Sequence, residues 1–150
     1  MIMEISVVMS CFNSDMLLLK RSITSVLNQS FSKFELIIVD DGSKHPISNS
    51  INIIDSRVKF IRLDNSVGLG AALNIGIGEA KAELIARIDD DDIMFPDRLK
   101  QQYEYLMKNA NIVCVGTRLM FKYGNKTIKY RKFPVYHDQI INDLLEIRIV

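Results

Sequence analysis

Short apolar runs rich in valine and isoleucine alternate along this chain with longer segments in which apolar residues return every three or four positions. The runs Glu4–Ser10, Phe34–Val39, Val58–Leu63, Leu84–Ile88 and Ile112–Val115 are too short for helices and end in polar or turn residues, so they predict strands. Their near-continuous apolar character is that of parallel strands covered on both faces. Between them, Leu19, Ile23, Val26 and Leu27 set one apolar face of a helix from about Asp15 to Asn28. Leu69, Leu73, Ile77 and Ala80 do the same from about Gly68 to Ala80. Within that helix Gly70, Gly76 and Gly78 each cost about 1 kcal/mol relative to alanine, which predicts close approach of another backbone. A further helix opens at Pro96, whose ring suits a first turn, and runs through Leu99 and Leu106 to about Asn109.

After Val115 the pattern changes. Thr117–Tyr123 and Thr127–Phe133 flank Gly124 and Asn125, which predicts an antiparallel hairpin, and an amphipathic helix fills His137–Val150. The expected class is α/β: an open, mainly parallel sheet with helices on both faces, in one domain without repeats or linkers.

Composition narrows this only a little. A chain of 150 residues with 48% apolar and 25% charged residues has the balance of an ordinary globular domain. A net charge of +1 supplies no field for nucleic acid, so any anion site must be local. Cys11 and Cys114 lack metal-ligand spacing and are too few for a disulfide framework. The short apolar start, led by Glu4, fails as a signal peptide, and no run reaches the roughly 18 apolar residues of a membrane span. A cytoplasmic setting is expected, with peripheral attachment at the inner face of a membrane left open.

The chemistry concentrates at two strand ends. Asp40-Asp41-Gly42-Ser43 follows one buried strand and Asp89-Asp90-Asp91-Asp92 follows another, where open α/β sheets bind ligands. A lone Asp-Gly would most simply close a turn; two acidic clusters weaken that reading. Carboxylates about 4 Å apart repel by roughly 4 kcal/mol at an effective dielectric near 20, so the run of four aspartates calls for a cation. Mg2+ or Mn2+ suits oxygen ligands and is commonly held by one or two carboxylates plus substrate phosphates. In an extended stretch Asp89 and Asp91 face the same way and form the natural pair. Ile93 and Met94 exclude a calcium helix-loop-helix site.

These blocks resemble the family 2 glycosyltransferases of the GT-A (Rossmann-like) fold. Ser6 to Asn13 looks like the family's first strand, Ser25 to Ser30 the end of its first helix, and Glu35 to Ser43 its second strand and Asp-Asp-Gly-Ser turn. Asn65 to Ile77 is similar to its glycine- and alanine-rich helix, and Ala86 to Leu99 to its Asp-x-Asp block. The resemblance implies that Asp40 and Asp41 lie at the nucleotide base and ribose, with Asp41 the better candidate for the base. It implies that Asp89 and Asp91 are the metal pair, Asp91 bound to the ion that bridges the donor diphosphate, with Asp90 between them. Ser10 and Phe12 stand where the family usually has proline and tyrosine, which leaves the nucleotide contacts of Ser10, Phe12 and Asn13 open to variation. Arg87 serves phosphate or a structural ion pair equally well.

The implied reaction is inverting transfer of a sugar from a nucleoside diphosphate sugar, UDP-linked by expectation, to a saccharide or lipid-linked acceptor in polysaccharide biosynthesis. The family's catalytic base lies beyond the matched region, so it is expected past Val150, and this chain is read as the donor-binding part with the acceptor part incomplete. The apolar residues of the last helix raise the further expectation of self-association. Two rivals remain: a nucleotide-binding remnant without transferase activity, and a receiver-type phosphoryl domain, which would need its acidic pair after the first strand. His45 reads as a solvated loop residue, His137 as the start of the last helix, and the lysines of the hairpin as a solvated edge.

Overall fold

The computed structural model describes residues 3–123, 126–131, 134–136 and 138–140, and divides the chain into two compact units, Met1–Asn109 and Ala110–Val150. In the first unit β1 (Ile5–Cys11), β2 (Phe34–Asp40), β3 (Val58–Arg62) and β4 (Leu84–Arg87) form one parallel sheet in the order β3-β2-β1-β4. The helices are α1 (Met16–Leu27), α2 (Ile47–Ser50), α3 (Leu69–Gly78) and α4 (Arg98–Lys108).

Period-two alternation sorts the central strands between two cores. Val7, Met9, Leu36 and Ile38 pack with Leu19, Ile23 and Val26 of α1 and Leu99 of α4. Ile37 and Val39 point to the opposite face and pack with Ala72 of α3. Each such fully buried aliphatic side chain contributes about 1.5–3 kcal/mol, which is why the middle of β2, Leu36 to Val39, buried on both faces, reads as an unbroken apolar run. The expected helices on both faces are therefore present.

Of the three α3 glycines, only Gly76 meets close contact: a Cβ there would lie 2.6 Å from Val8 Cγ1 and 3.1 Å from Val39 Cγ2. The close approach is to valine side chains of the sheet, not to backbone, and Gly70 and Gly78 face open space. On the same face the buried Glu35 carboxylate accepts from Ser6 Oγ (2.8 Å) and the Lys81 backbone N–H (2.7 Å), tying the end of the α3 connection to the sheet.

The helix boundaries lie close to expectation. Asp15 caps α1 by accepting from the Leu17 and Leu18 N–H groups (2.8 and 3.0 Å). α4 starts at Arg98, two residues after Pro96, because the Pro96–Asp97 segment is held as a turn.

In the second unit β5 (Leu119–Tyr123) and β6 (Lys126–Arg131) pair antiparallel, from Leu119 opposite Arg131 to Tyr123 opposite Lys126, with a register irregularity between Phe121 and Lys122. That is the expected hairpin; its turn residues Gly124 and Asn125 lie outside the described residues. Residues 138–140 are helical, and the rest of the expected last helix, His137 included, also lies outside them. The expected strand Ile112–Val115 is not formed: residues 112–118 carry no regular secondary structure, and Val113 is 96% exposed. Valine and isoleucine favour strands only where a pleated surface buries them. Among the described residues no helix is long and apolar enough to cross a membrane.

Candidate functional site

The strand order makes β1 the turning point of the sheet. The chain winds outward from β1 to β2 and β3, then crosses to β4 on the other side of β1, so the loops after β1, β2 and β4 leave from one carboxyl edge beside a topological switch point. Asn13, Asp41 and Asp89 stand in those three loops, as the sequence led us to expect.

The first two loops are stitched together by Asn13. It adopts φ +51°, its N–H donates to Ser43 Oγ (2.9 Å), and its Oδ1 accepts from the Lys44 N–H (3.0 Å). Asparagine tolerates this left-handed region better than most residues. Before it, Ser10 is half-buried near the end of β1, whereas Phe12 is 54% exposed at the carboxyl edge of the sheet.

Asp40 and Asp41 are both buried and turned into the protein. Asp40 accepts from the Ser43 and Ile47 N–H groups (3.0 and 3.1 Å) and from the Arg62 guanidinium, which also donates to the Ser43 carbonyl. Asp41 accepts from Ser66 Oγ (2.7 Å) and from the Val67 and Gly68 N–H groups (2.7 and 3.0 Å), latching the loop that enters α3. Burial alone would raise both carboxyls, but these donors outweigh it and hold each below the usual carboxylate value. Gly42 completes the turn with φ +70°, and a Cβ there would sit 2.7 Å from the backbone of Asn65 and Ser66. The two carboxylates thus hold in place the loops at this part of the carboxyl edge.

The acidic loop is more open. Asp91 and Asp92 are exposed, and Asp89 and Asp90 are half-buried. Asp89 pairs with Arg87, and Asp90 accepts from Ser14 Oγ. Asp92 has its carboxyl pushed up by desolvation and by the charges of Asp89 and Asp91. Arg98, whose own pKa burial lowers, donates to the Arg87 carbonyl (3.0 Å). Of the other candidates, His45 is exposed, and the Cys11 thiol is buried and pushed up to about 12 by that burial, which leaves it inert.

Sequence reasoning did not single out what holds this loop. Ser22, Ser25 and Gln29 lie at spacings of three and four along α1 and its end, on the face turned toward the loop. Ser22 Oγ donates to the Asp89 carbonyl (3.0 Å), and Ser25 Oγ accepts from the Met94 N–H (2.9 Å). Gln29 donates to the Phe95 carbonyl (2.8 Å) and accepts from the Leu99 N–H (3.0 Å). Ser30 adds a backbone bond to the Pro96 carbonyl (2.9 Å) and a hydroxyl bond to Asp97 (2.6 Å). The available signal was a stripe of polar residues interrupting the buried face of an amphipathic helix.

No group of three or more metal-ligating side chains converges among the described residues, so a dedicated protein cage for a cation is not built here. Two carboxylates in an exposed loop are instead a donor set that suits Mg2+ or Mn2+ sharing its coordination with a substrate's phosphates.

A doubly wound parallel sheet with acidic loops at its switch point defines an open α/β domain whose carboxyl edge is placed to bind a ligand. Within that class, the family model for glycosyl transferase family 2 matches residues 6–149, and the chain belongs to that family. The O-antigen biosynthesis glycosyltransferase WbnJ of Escherichia coli is 38% identical over 130 residues, covering 83% of this chain and 49% of its own length. The putative glycosyltransferase EpsE of Bacillus subtilis is 34% identical over 124 residues, covering 78% of this chain and 43% of its own. The chain thus spans about half or less of the length of these relatives. Among solved structures, S. aureus TarS 1–349 in complex with UDP-GlcNAc superposes with a TM-score of 0.66 at 23% identity, covering 72% of this chain and 32% of that one, a likeness of fold.

Proposed function

We propose that this chain is the donor-binding part of a glycosyltransferase that acts in polysaccharide biosynthesis, taking a sugar from a nucleoside diphosphate sugar, UDP-linked, to a saccharide or lipid-linked acceptor. The observation that carries this reading is the convergence of the Asn13, Asp41 and Asp89 loops at one carboxyl edge of the sheet. The O-antigen biosynthesis role of the WbnJ relative and the UDP-GlcNAc complex of a similar fold support the substrate class.

In this reading Phe12 offers its exposed ring to the nucleotide base and Asn13 its loop to the ribose side. Asp40 and Asp41 act chiefly by fixing the walls of that cradle. Asp89 and Asp91 would hold Mg2+ or Mn2+ and the cation would offset the charge of the donor diphosphate, with Asp90 tethered by Ser14 between them and Arg87 paired with Asp89. A cation bound there supplies charge neutralisation to the departing diphosphate. The reaction inverts the anomeric centre, with a carboxylate base removing the acceptor's proton.

A screen of UDP, GDP and CMP and their sugar derivatives against the wild-type chain and Asp91→Asn tests the reading. UDP compounds should bind wild type in the presence of manganese and bind Asp91→Asn at least tenfold more weakly. Equal binding of all nucleotides by both proteins contradicts it.

A further inference from the structure

We infer that the polar stripe Ser22, Ser25 and Gln29 of α1 is the positioning element of the proposed metal site, setting the path of the acidic loop so that its carboxylates meet a cation in fixed geometry. The inference rests on the donor-binding reading above and adds residues that touch neither nucleotide nor metal.

Apart from the stripe, the acidic loop is tied at Asp90, by Ser14, and at its far end, where Ser30 bonds Pro96 and Asp97. Beyond Arg87 the β4 ladder ends, and one further bond, from the Ile88 N–H to the Val8 carbonyl (3.3 Å), is its last tie to the sheet. From there to α4 the loop runs through Asp91, Asp92, Ile93 and Phe95, all exposed, with Met94 as its buried anchor. The stripe supplies partners at the loop's start, middle and end: the Asp89 carbonyl, the Met94 N–H and Phe95 carbonyl, and the Leu99 N–H that opens α4.

Both donor and acceptor of the Gln29 amide are used across the loop, and its side chain also donates to the Ser25 carbonyl (3.2 Å). The residue is 7% exposed, so water cannot readily replace these bonds, and a partner removed from a buried group leaves the other unsatisfied. A helix of the apolar core thereby fixes the backbone that carries Asp89 and Asp91. A carboxylate pair shared with substrate phosphates gains from such fixing, because a ligand shell left to fluctuate must be ordered again at each binding event.

The test uses the full chain with Ser25→Ala and Gln29→Leu, and Thr24→Ala as a control on the exposed side of the same helix. Amide hydrogen exchange reports the loop; titration with UDP, in manganese and in chelator, reports the site. In Ser25→Ala the Met94 amide, and in Gln29→Leu the Leu99 amide, should exchange at least tenfold faster while Val8 and Ile37 in the sheet keep their protection. Affinity for UDP with manganese should fall about tenfold, and affinity in chelator should not change; Thr24→Ala should alter neither. Faster exchange throughout the sheet, or equal loss of affinity in both conditions, would show a general structural role and overturn the inference. Loosened amides with unchanged manganese-dependent affinity would overturn it as well. Absence of manganese-dependent UDP binding in the wild type would be visible before any variant is compared; it would remove the metal reading itself and the stripe's role with it.

Discussion

Asp41→Asn gives the sharpest stability test of the nucleotide-side loops. The carboxylate is 2% exposed and accepts three hydrogen bonds, from Ser66 Oγ, the Val67 N–H and the Gly68 N–H. Asparagine has nearly the same size but only one acceptor oxygen. Whichever way the amide turns, its NH2 group faces at least one backbone N–H, since Val67 lies at one carboxylate oxygen and Gly68 at the other. An unsatisfied buried donor costs about 1–3 kcal/mol, and the remaining bonds lose the strengthening that the charge provided. The expected loss is about 3 kcal/mol, a large share of the roughly 5–15 kcal/mol by which domains are stable. At about 2–4 °C per kcal/mol for a chain of this size, Tm should fall by roughly 6–12 °C.

Urea and thermal melts of both proteins measure the loss directly. The acid limb provides a second reading. Asp40 and Asp41 have folded-state pKa values below the ordinary 3.8. Their contribution is therefore complete above that value and is lost as pH falls through the lowered ones, so wild type should lose stability there more steeply than Asp41→Asn. A loss below about 1 kcal/mol, together with a large fall in UDP affinity, would refute the latch and make Asp41 a direct ligand contact.

The remaining predictions concern glycines and the acidic loop. Gly42→Ala should cost about 2–4 kcal/mol in a urea melt, because φ +70° and the backbone of Asn65 and Ser66 both oppose a Cβ. Gly76→Ala should destabilise by about 1–2 kcal/mol against Val8 and Val39, whereas Gly70→Ala, facing open space, should stabilise by up to about 1 kcal/mol. Thermal melts should show Asp91→Asn unchanged or raised without ligand, since one like charge leaves the loop. With manganese and UDP at about a hundred times Kd, it should miss most of the roughly 2.7 kcal/mol that wild type gains. A substantial ligand-free loss with the full ligand shift retained would make Asp91 a structural cap.

Much of this site could be read from the residues because acidic motifs at the ends of buried runs have few places to go. Once Val7 to Met9 and Leu36 to Val39 were strands, parallel winding carried Asn13, Asp41 and Asp89 to one edge. What the sequence withheld was the direction in which side chains turn. Asp40 and Asp41 look alike as neighbours, yet one joins Arg62 and α2 and the other the start of α3, and both are hidden by contacts spanning more than twenty residues or a tight local turn. Ser22, Ser25 and Gln29 read as polar interruptions of an apolar face until their partners, about seventy residues away, are in place. Ile112–Val115 failed in the opposite way: its composition favours a strand, and the burial that would make it one is lacking at Val113.

Binding of a nucleoside diphosphate to the acidic loop through a shared cation is measured by calorimetric titration of UDP into the wild-type chain, in manganese and again in excess chelator. Carboxylates and diphosphate repel until a cation bridges them, so the account predicts binding at least tenfold tighter with manganese. The same Kd in both buffers would contradict it.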